Sequence, residues 1–166
     1  MNFIKAVLLG LIQGLTEFIP VSSSGHLLVF KKLFEMDPKI FGLTFDIGVH
    51  VATLIALFLA MWRQILDTLK KPRLILMLVI ATIPAVIAGY FLEGFIENIS
   101  ESGAYLGICF LITAAVLWIA NKRSKQNKHK SDIDSVSVRQ SGSIGIAQAI
   151  AIIPGISRSG STMATG

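Results

Sequence analysis

The sequence predicts an all-α, polytopic membrane protein. It is built as an inverted repeat with broken, re-entrant helices, the second repeat being incomplete. Three observations carry this. First, of 166 residues 53% are hydrophobic and 15% charged, with mean hydropathy +0.70. Soluble chains average about 25% charged residues, so a soluble single domain and a disordered chain are both excluded. Second, three apolar runs are long enough to cross a bilayer. Third, the two ends are apolar but interrupted, and they resemble each other. A single cysteine, Cys109, excludes a disulfide framework and a cysteine-based zinc site.

Residues 2–30 come first. They are hydrophobic but broken by Gly10, Gly14, Glu17, Pro20, three serines and Gly25. A signal peptide does not fit, because there is no clear small-residue cleavage site and Glu17 sits badly in one. The run 43–62 has 20 residues, interrupted by Asp46 and His50; the runs 74–92 and 103–120 have 19 and 18 residues without charge. At 1.5 Å rise per residue each spans roughly the 30 Å hydrocarbon core. Between the first and second runs lie Arg63, Lys70, Lys71 and Arg73 against Asp67. Between the second and third lie Glu93, Glu97 and Glu101 and no base. Lys122, Arg123, Lys125, Lys128, Lys130 and Arg139 follow the third. The positive-inside rule makes the first and third connections cytoplasmic and the acidic one external, an alternation that three crossings require. Residues 121–140 read as a flexible cytoplasmic linker. The net charge of +5 and pI of 9.6 are thus explained by loops, and no nucleic acid partner is expected. Residues 141–166, broken by Pro154, Gly155 and Gly160, close the chain.

Gly10, Gln13, Ser22, Ser24 and Gly25 recur as Gly145, Gln148, Ser157, Ser159 and Gly160, each 135 residues later. Three crossings separate the copies, so the second enters from the opposite side and the repeat is inverted. This divides the chain into a first unit, 1–135 (broken helix pair, three transmembrane helices and the basic loop), and the start of a second, 136–166. Two complete units need roughly 100 residues more, so the chain reads as truncated or as the product of an interrupted gene, ending at membrane depth.

Irregular backbone at that depth is tolerated only where it is buried in protein or lines a wet cavity, and interrupted segments in corresponding places point to a site. The first reads QGLTEFIPVSSSGH over 13–26, the second PGISRSGST over 154–162. Arg158, the hydroxyls and the glycines of the second make an oxyanion binder: arginine offers a planar fork, and a helix N-terminus offers free N–H groups. Glu17, His26 and Arg158 are costly in lipid and mark function, unless Glu17 and Arg158 simply pair with each other. Gln13 and Glu17 share a helix face, and their oxygens suit a hard cation, Mg²⁺ or Ca²⁺. His26 is a candidate nucleophile or acid–base group on phosphorus. Asp46 and His50, four apart, either extend the site or bond between helices. From Ser143 to Pro154 is about 15 Å, half the bilayer, so both broken segments can line one outward-opening cavity.

At these two stretches the sequence resembles the undecaprenyl-diphosphate phosphatase family, the bacitracin-resistance type, over the whole chain. The resemblance implies a phosphoric anhydride hydrolase that converts undecaprenyl diphosphate to the monophosphate carrier of cell-wall synthesis. It also implies a divalent metal and a multi-pass location in the bacterial inner membrane with the site facing outward. Carried over by position, it implies catalytic roles for Glu17, Ser23, His26 and Arg158. Substrate contacts fall at Ser22, Gly155, Ser157, Ser159 and Thr162, and metal contacts at Glu17 and Gln13. The family commonly has glutamate where Gln13 stands, which weakens a two-carboxylate metal site. The expected partners are a polyprenyl diphosphate lipid and the membrane, with a homodimer as an option. The competing reading is a lipid-carrier or anion transporter, since inverted repeats around a midplane site are transporter architecture.

Overall fold

The computed structural model describes residues 2–126 and 135–166, with the backbone alone at residues 93, 95–102 and 126. Regular structure among the described residues is entirely helical: α1 (Asn2–Phe18), α2 (Ser23–Leu33), α3 (Leu43–Ala60), α4 (Trp62–Leu69), α5 (Pro72–Ser102), α6 (Leu106–Gln126), α7 (Val138–Ile150) and α8 (Arg158–Thr165). Three are long and apolar enough to cross a membrane: α3, α5 over Pro72–Leu92, and α6 over Leu106–Lys125. Lys128 and Lys130 of the basic linker lie outside the described residues, as do the side chains of Glu93, Glu97 and Glu101.

The helix ends have local causes. The first apolar run stops at Ala60 rather than Trp62, because Met61 leaves helical geometry at φ −109°, ψ 20°. The chain then restarts as α4. Its residues Trp62, Ile65, Leu66 and Leu69 form one stripe and Arg63, Gln64 and Asp67 the other, the pattern of a helix lying in an interface. Helix α5 begins with Pro72 at its first position, where the missing N–H costs nothing. It continues to Ser102, so Glu93, Glu97 and Glu101 stand on helical backbone instead of a loop. Helix α2 ends with Glu35 at φ 46°. There the N–H groups of Glu35 and Met36 return to the carbonyls of Lys32 and Lys31, the two bonds of a Schellman motif. Helix α7 opens on a capping box between Ser137 and Gln140.

Two small cores hold these helices. Leu9, Leu27, Met36 and Phe41 join α1, α2 and the start of α3; Cys109, Ala151 and Ile156 join α6 to the turn after α7. Elsewhere large apolar side chains face outward, and α3 has no buried residue at all. This is how a protein solvated by hydrocarbon is arranged. Helices α5 and α7 pack along each other. They approach at Pro84, where a Cβ on Gly145 would lie 2.8 Å from the Ala81 carbonyl oxygen and from Pro84 Cγ. Gln148 Nε2 donates to that carbonyl at 3.3 Å, in the stretch of α5 where the proline disturbs the helical ladder. The chain thus contains two helix–turn–helix hairpins, α1–α2 and α7–α8. The open end of the first is tied by Lys5 Nζ donating to the Phe34 carbonyl, 29 residues away.

Candidate active site

The first turn forms because the residue before a proline avoids helical geometry; α1 accordingly stops at Phe18, two residues short of Pro20. Ser22 caps α2 at φ 67°, a left-handed conformation that costs a serine about 1–3 kcal/mol. Four contacts hold it there. Its Oγ accepts from Gly25 N at 3.4 Å and from Gly155 N at 3.1 Å. Its carbonyl accepts from His26 N at 3.1 Å and lies 2.8 Å from His26 Nδ1. A carbonyl only accepts, so His26 Nδ1 carries a proton and Nε2 is the nitrogen available for chemistry. Phe110 of α6 steadies the imidazole, ring centroids 5.0 Å apart.

One residue on, Ser23 Oγ donates to Glu17 Oε2 at 2.5 Å, and Gln13 Nε2 donates to the same oxygen at 2.9 Å. This is a hydroxyl paired with a base, the arrangement that makes serine a nucleophile. Gln13 is fully buried and its Oε1 has no donor among the described residues.

The second turn repeats the first. Ser157 caps α8, its Oγ accepting from Gly160 N at 3.0 Å as Ser22 does from Gly25 N. Ser157 Oγ lies 3.2 Å from Ser159 Oγ, and Ser22 Oγ 3.5 Å from Ser24 Oγ. Gly155 stands at φ 96°, and a Cβ there would lie 2.7 Å from Cys109 Cβ. Thr113 of α6 splints the turn, donating to the Gly155 carbonyl and accepting from Ser157 N, both at 3.1 Å.

The two turns meet. Besides the Ser22–Gly155 bond, a Cβ on Gly25 would come within 2.9 Å of Gly155 Cα, and one on Gly160 within 3.2 Å of the Pro20 carbonyl oxygen. Thus residues more than 130 positions apart share one junction; Glu17, Ser23 and His26 belong to the first hairpin and Arg158 to the second. Arg158, first residue of α8, is exposed and makes no hydrogen bond or ion pair among the described residues; it does not pair with Glu17. Ser159 and Thr162 are half-buried and linked by Thr162 Oγ1 donating to the Ser159 carbonyl at 3.0 Å. Ser22, Ser157 and Gly155 are buried and occupied with holding the turns together.

Among the described residues no group of three His, Cys, Asp or Glu gathers around a common point. The acceptors near Glu17 are its carboxylate and the undonated Gln13 Oε1. That set fits a Mg²⁺-like ion that keeps several waters and takes its remaining ligands from substrate phosphate, not a closed protein cage.

Sequence reasoning missed Thr113 and Lys31. Thr113 sits in an apolar run, where threonine ordinarily bonds back to its own helix. Lys31 Nζ pairs with Asp46 Oδ1 at 2.5 Å; the signal was Asp46 itself, an acid in a membrane span that needs a cation. His50 Nδ1 lies 2.8 Å from the Asp46 carbonyl.

A family profile described as bacitracin resistance protein BacA matches residues 6–166. The chain is 41% identical over 165 residues to the undecaprenyl-diphosphatase of Carboxydothermus hydrogenoformans, covering 98% of this chain and 61% of that protein. It is 41% identical to undecaprenyl-diphosphatase 4 of Bacillus thuringiensis, covering 98% and 62%, and 43% identical to the undecaprenyl-diphosphatase of Thermosipho africanus, covering 95% and 64%. The chain therefore spans less than two thirds of the length of these curated relatives.

Proposed function

We propose, from the premise that this chain belongs to the bacitracin resistance protein BacA family, that it carries the active site of an integral-membrane phosphatase. The substrate is undecaprenyl diphosphate and the product undecaprenyl phosphate, the lipid carrier of cell-wall synthesis. The observation that carries the reading is the Ser23–Glu17 pair, set on a hairpin whose turn is bonded to the turn that presents Arg158. The relatives' names support the same substrate.

The chemistry follows from the geometry. Arg158 and the first turn of α8 bind the terminal phosphate. Ser23 Oγ forms a bond to its phosphorus while Glu17 takes the hydroxyl proton. The bond from that phosphorus to the bridging oxygen breaks, and its electron pair leaves with undecaprenyl phosphate. Water then cleaves the phosphoserine, releasing inorganic phosphate and restoring Ser23. His26, on the next turn of α2, presents Nε2 to the phosphate oxygens. A divalent cation, Mg²⁺ or Ca²⁺, would be held by Glu17 and Gln13 and would neutralise phosphate charge.

The basic ends support an orientation. Arg63, Lys70, Lys71 and Arg73 surround α4, and Arg123 and Lys125 occupy the last turn of α6. Trp62 and Trp118 stand near the same ends, Trp118 with Lys122 Nζ 5.5 Å above its ring. These features support a cytoplasmic face there, which puts the start of α3 and the open end of the α1–α2 hairpin outside, in the bacterial inner membrane. The test is release of inorganic phosphate from a prenyl diphosphate by the purified protein in detergent, with Mg²⁺ and with chelator. Release that needs Ser23 and Arg158 supports the reading; a protein that binds the lipid and releases none overturns it. No observation favours the transporter alternative.

A further inference from the structure

Beside the junction, outside the residues given roles above, lies a cleft of about 150 Å³. Ser24, Leu27, Leu28 and Lys31 of α2 line it, with Asp46 and His50 of α3 and Pro154 of the second turn. It begins one residue from Ser23 and runs along α2 toward the end that the loop charges place outside.

The polar groups of this cleft are arranged around Asp46. Its carboxylate accepts from Lys31 Nζ at 2.5 Å, and its backbone carbonyl fixes His50 Nδ1 at 2.8 Å. Lys31 is further steadied by the Phe45 ring, 5.9 Å from Nζ. An ammonium has three donors. Asp46 takes one, and the other two have no acceptor among the described residues. His50 Nε2 is likewise without a partner there. With Nδ1 held by the Asp46 carbonyl, Nε2 is the ring nitrogen left to meet a phosphate group. Leu27, Leu28 and Pro154 add apolar surface. Polar groups facing a hydrocarbon wall match a phosphate monoester joined to a hydrocarbon chain, and ionisable groups in a span normally face such a cavity.

We infer that this cleft seats the lipid-proximal phosphate of the substrate and the first carbons of its chain. Lys31 and His50 bind that phosphate, and Asp46 orients both. Ser24 stands between it and the phosphate attacked by Ser23. The inference rests on the phosphatase reading and extends it: after cleavage the same cleft retains the monophosphate product, so a prenyl monophosphate is a competitive inhibitor held by Lys31 and His50.

The test uses the purified protein in detergent and two variants. Lys31→Met combined with Asp46→Leu removes both charges and leaves no uncompensated carboxylate; His50→Gln leaves the ion pair intact. Farnesyl monophosphate binding is measured by calorimetry, and inhibition of farnesyl diphosphate hydrolysis by farnesyl monophosphate, farnesol and inorganic phosphate. The expected result is about tenfold or more weaker farnesyl monophosphate binding in each variant, the loss of a charge-assisted hydrogen bond. KM rises in parallel, kcat changes little, and inhibition by farnesol and by inorganic phosphate is unaltered. A merely structural pair would lower thermal stability or kcat without separating monophosphate from farnesol. Unchanged monophosphate binding in both variants, or equal weakening of inorganic phosphate, overturns the assignment. Because binding is read without turnover, this outcome is distinct from a wild-type protein that hydrolyses nothing, which would overturn the phosphatase reading alone.

Discussion

Replacing Gly155 with alanine tests the junction on which the site depends. Two costs add. At φ 96° an L side chain is strained, and left-handed backbone costs a non-glycine residue roughly 1–2 kcal/mol. The new Cβ would also stand 2.7 Å from Cys109 Cβ and 3.2 Å from Leu106 Cδ2. Overpacking of that kind typically costs about 1–3 kcal/mol, so the total is about 2–5 kcal/mol. The molecule carries its own reporter, because Cys109 is the single cysteine and is only 6% exposed. Pushing the turn off α6 uncovers it. The expected outcome is a lower thermal midpoint in detergent and faster modification of Cys109 by a maleimide. Gly25→Ala strikes the same contact from the other hairpin, its Cβ 2.9 Å from Gly155 Cα. Since both substitutions open one junction, the double variant should lose less than the two single losses added together. If Gly155→Ala keeps the wild-type midpoint and the wild-type labelling rate, the two turns do not meet as described.

The remaining predictions concern the reaction and one control. Arg158→Ala should lose at least about a hundredfold in rate, the usual cost of removing a group that stabilises developing charge; near-normal phosphate release would remove Arg158 from the site. Ser23→Ala should lose about a thousandfold or more if Ser23 is the nucleophile, and a rapidly quenched wild-type reaction should contain phosphoserine; an active Ser23→Ala variant would indicate direct attack by water. Gly10→Ala serves as the control, since it lies inside α1 with nothing within 4 Å of the added Cβ. It should raise stability by about 0.5–1 kcal/mol from helix propensity alone, and a large loss would mean that α1 packs differently.

Much of the architecture was legible because length and charge act locally. The runs at 43–62, 74–92 and 103–120 became α3, α5 and α6, most ends shifting by a few residues, the end of α6 by six and that of α5 by ten. The shared S-x-S-G was legible as a repeat, and Ser22 and Ser157 cap their helices through the same bond, to Gly25 N and Gly160 N. What sequence could not show is what depends on distant partners. The acidic residues after Leu92 read as a loop by composition, yet a spacing of four lets them ride on a helix. Gln13 and Gln148 occupy equivalent places in the repeat, but one bonds Glu17 and the other the Ala81 carbonyl beside Pro84. Lys31 and Asp46 become neighbours only once α2 folds back against α3.

The hydroxyl-rich motifs divide into two kinds of work once their bonds are followed. A turn at membrane depth exposes backbone groups that lipid cannot satisfy. Ser22 takes the N–H groups of Gly25 and Gly155, Ser157 that of Gly160, and Thr113 serves the carbonyl of Gly155 and the N–H of Ser157. These hydroxyls are buried and make the break in the helices tolerable. Ser23, Ser24 and Arg158 in the same motifs are half-buried or exposed, and only Ser23 is held by a base. Several hydroxyls of a motif that reads as a uniform anion binder are therefore spent on capping, and under the proposed mechanism Ser23 and Arg158 carry the chemistry. The distinction has a measurable form. Losing Ser22 or Ser157 should cost stability first and rate only through it, whereas losing Ser23 or Arg158 should cost rate at unchanged stability.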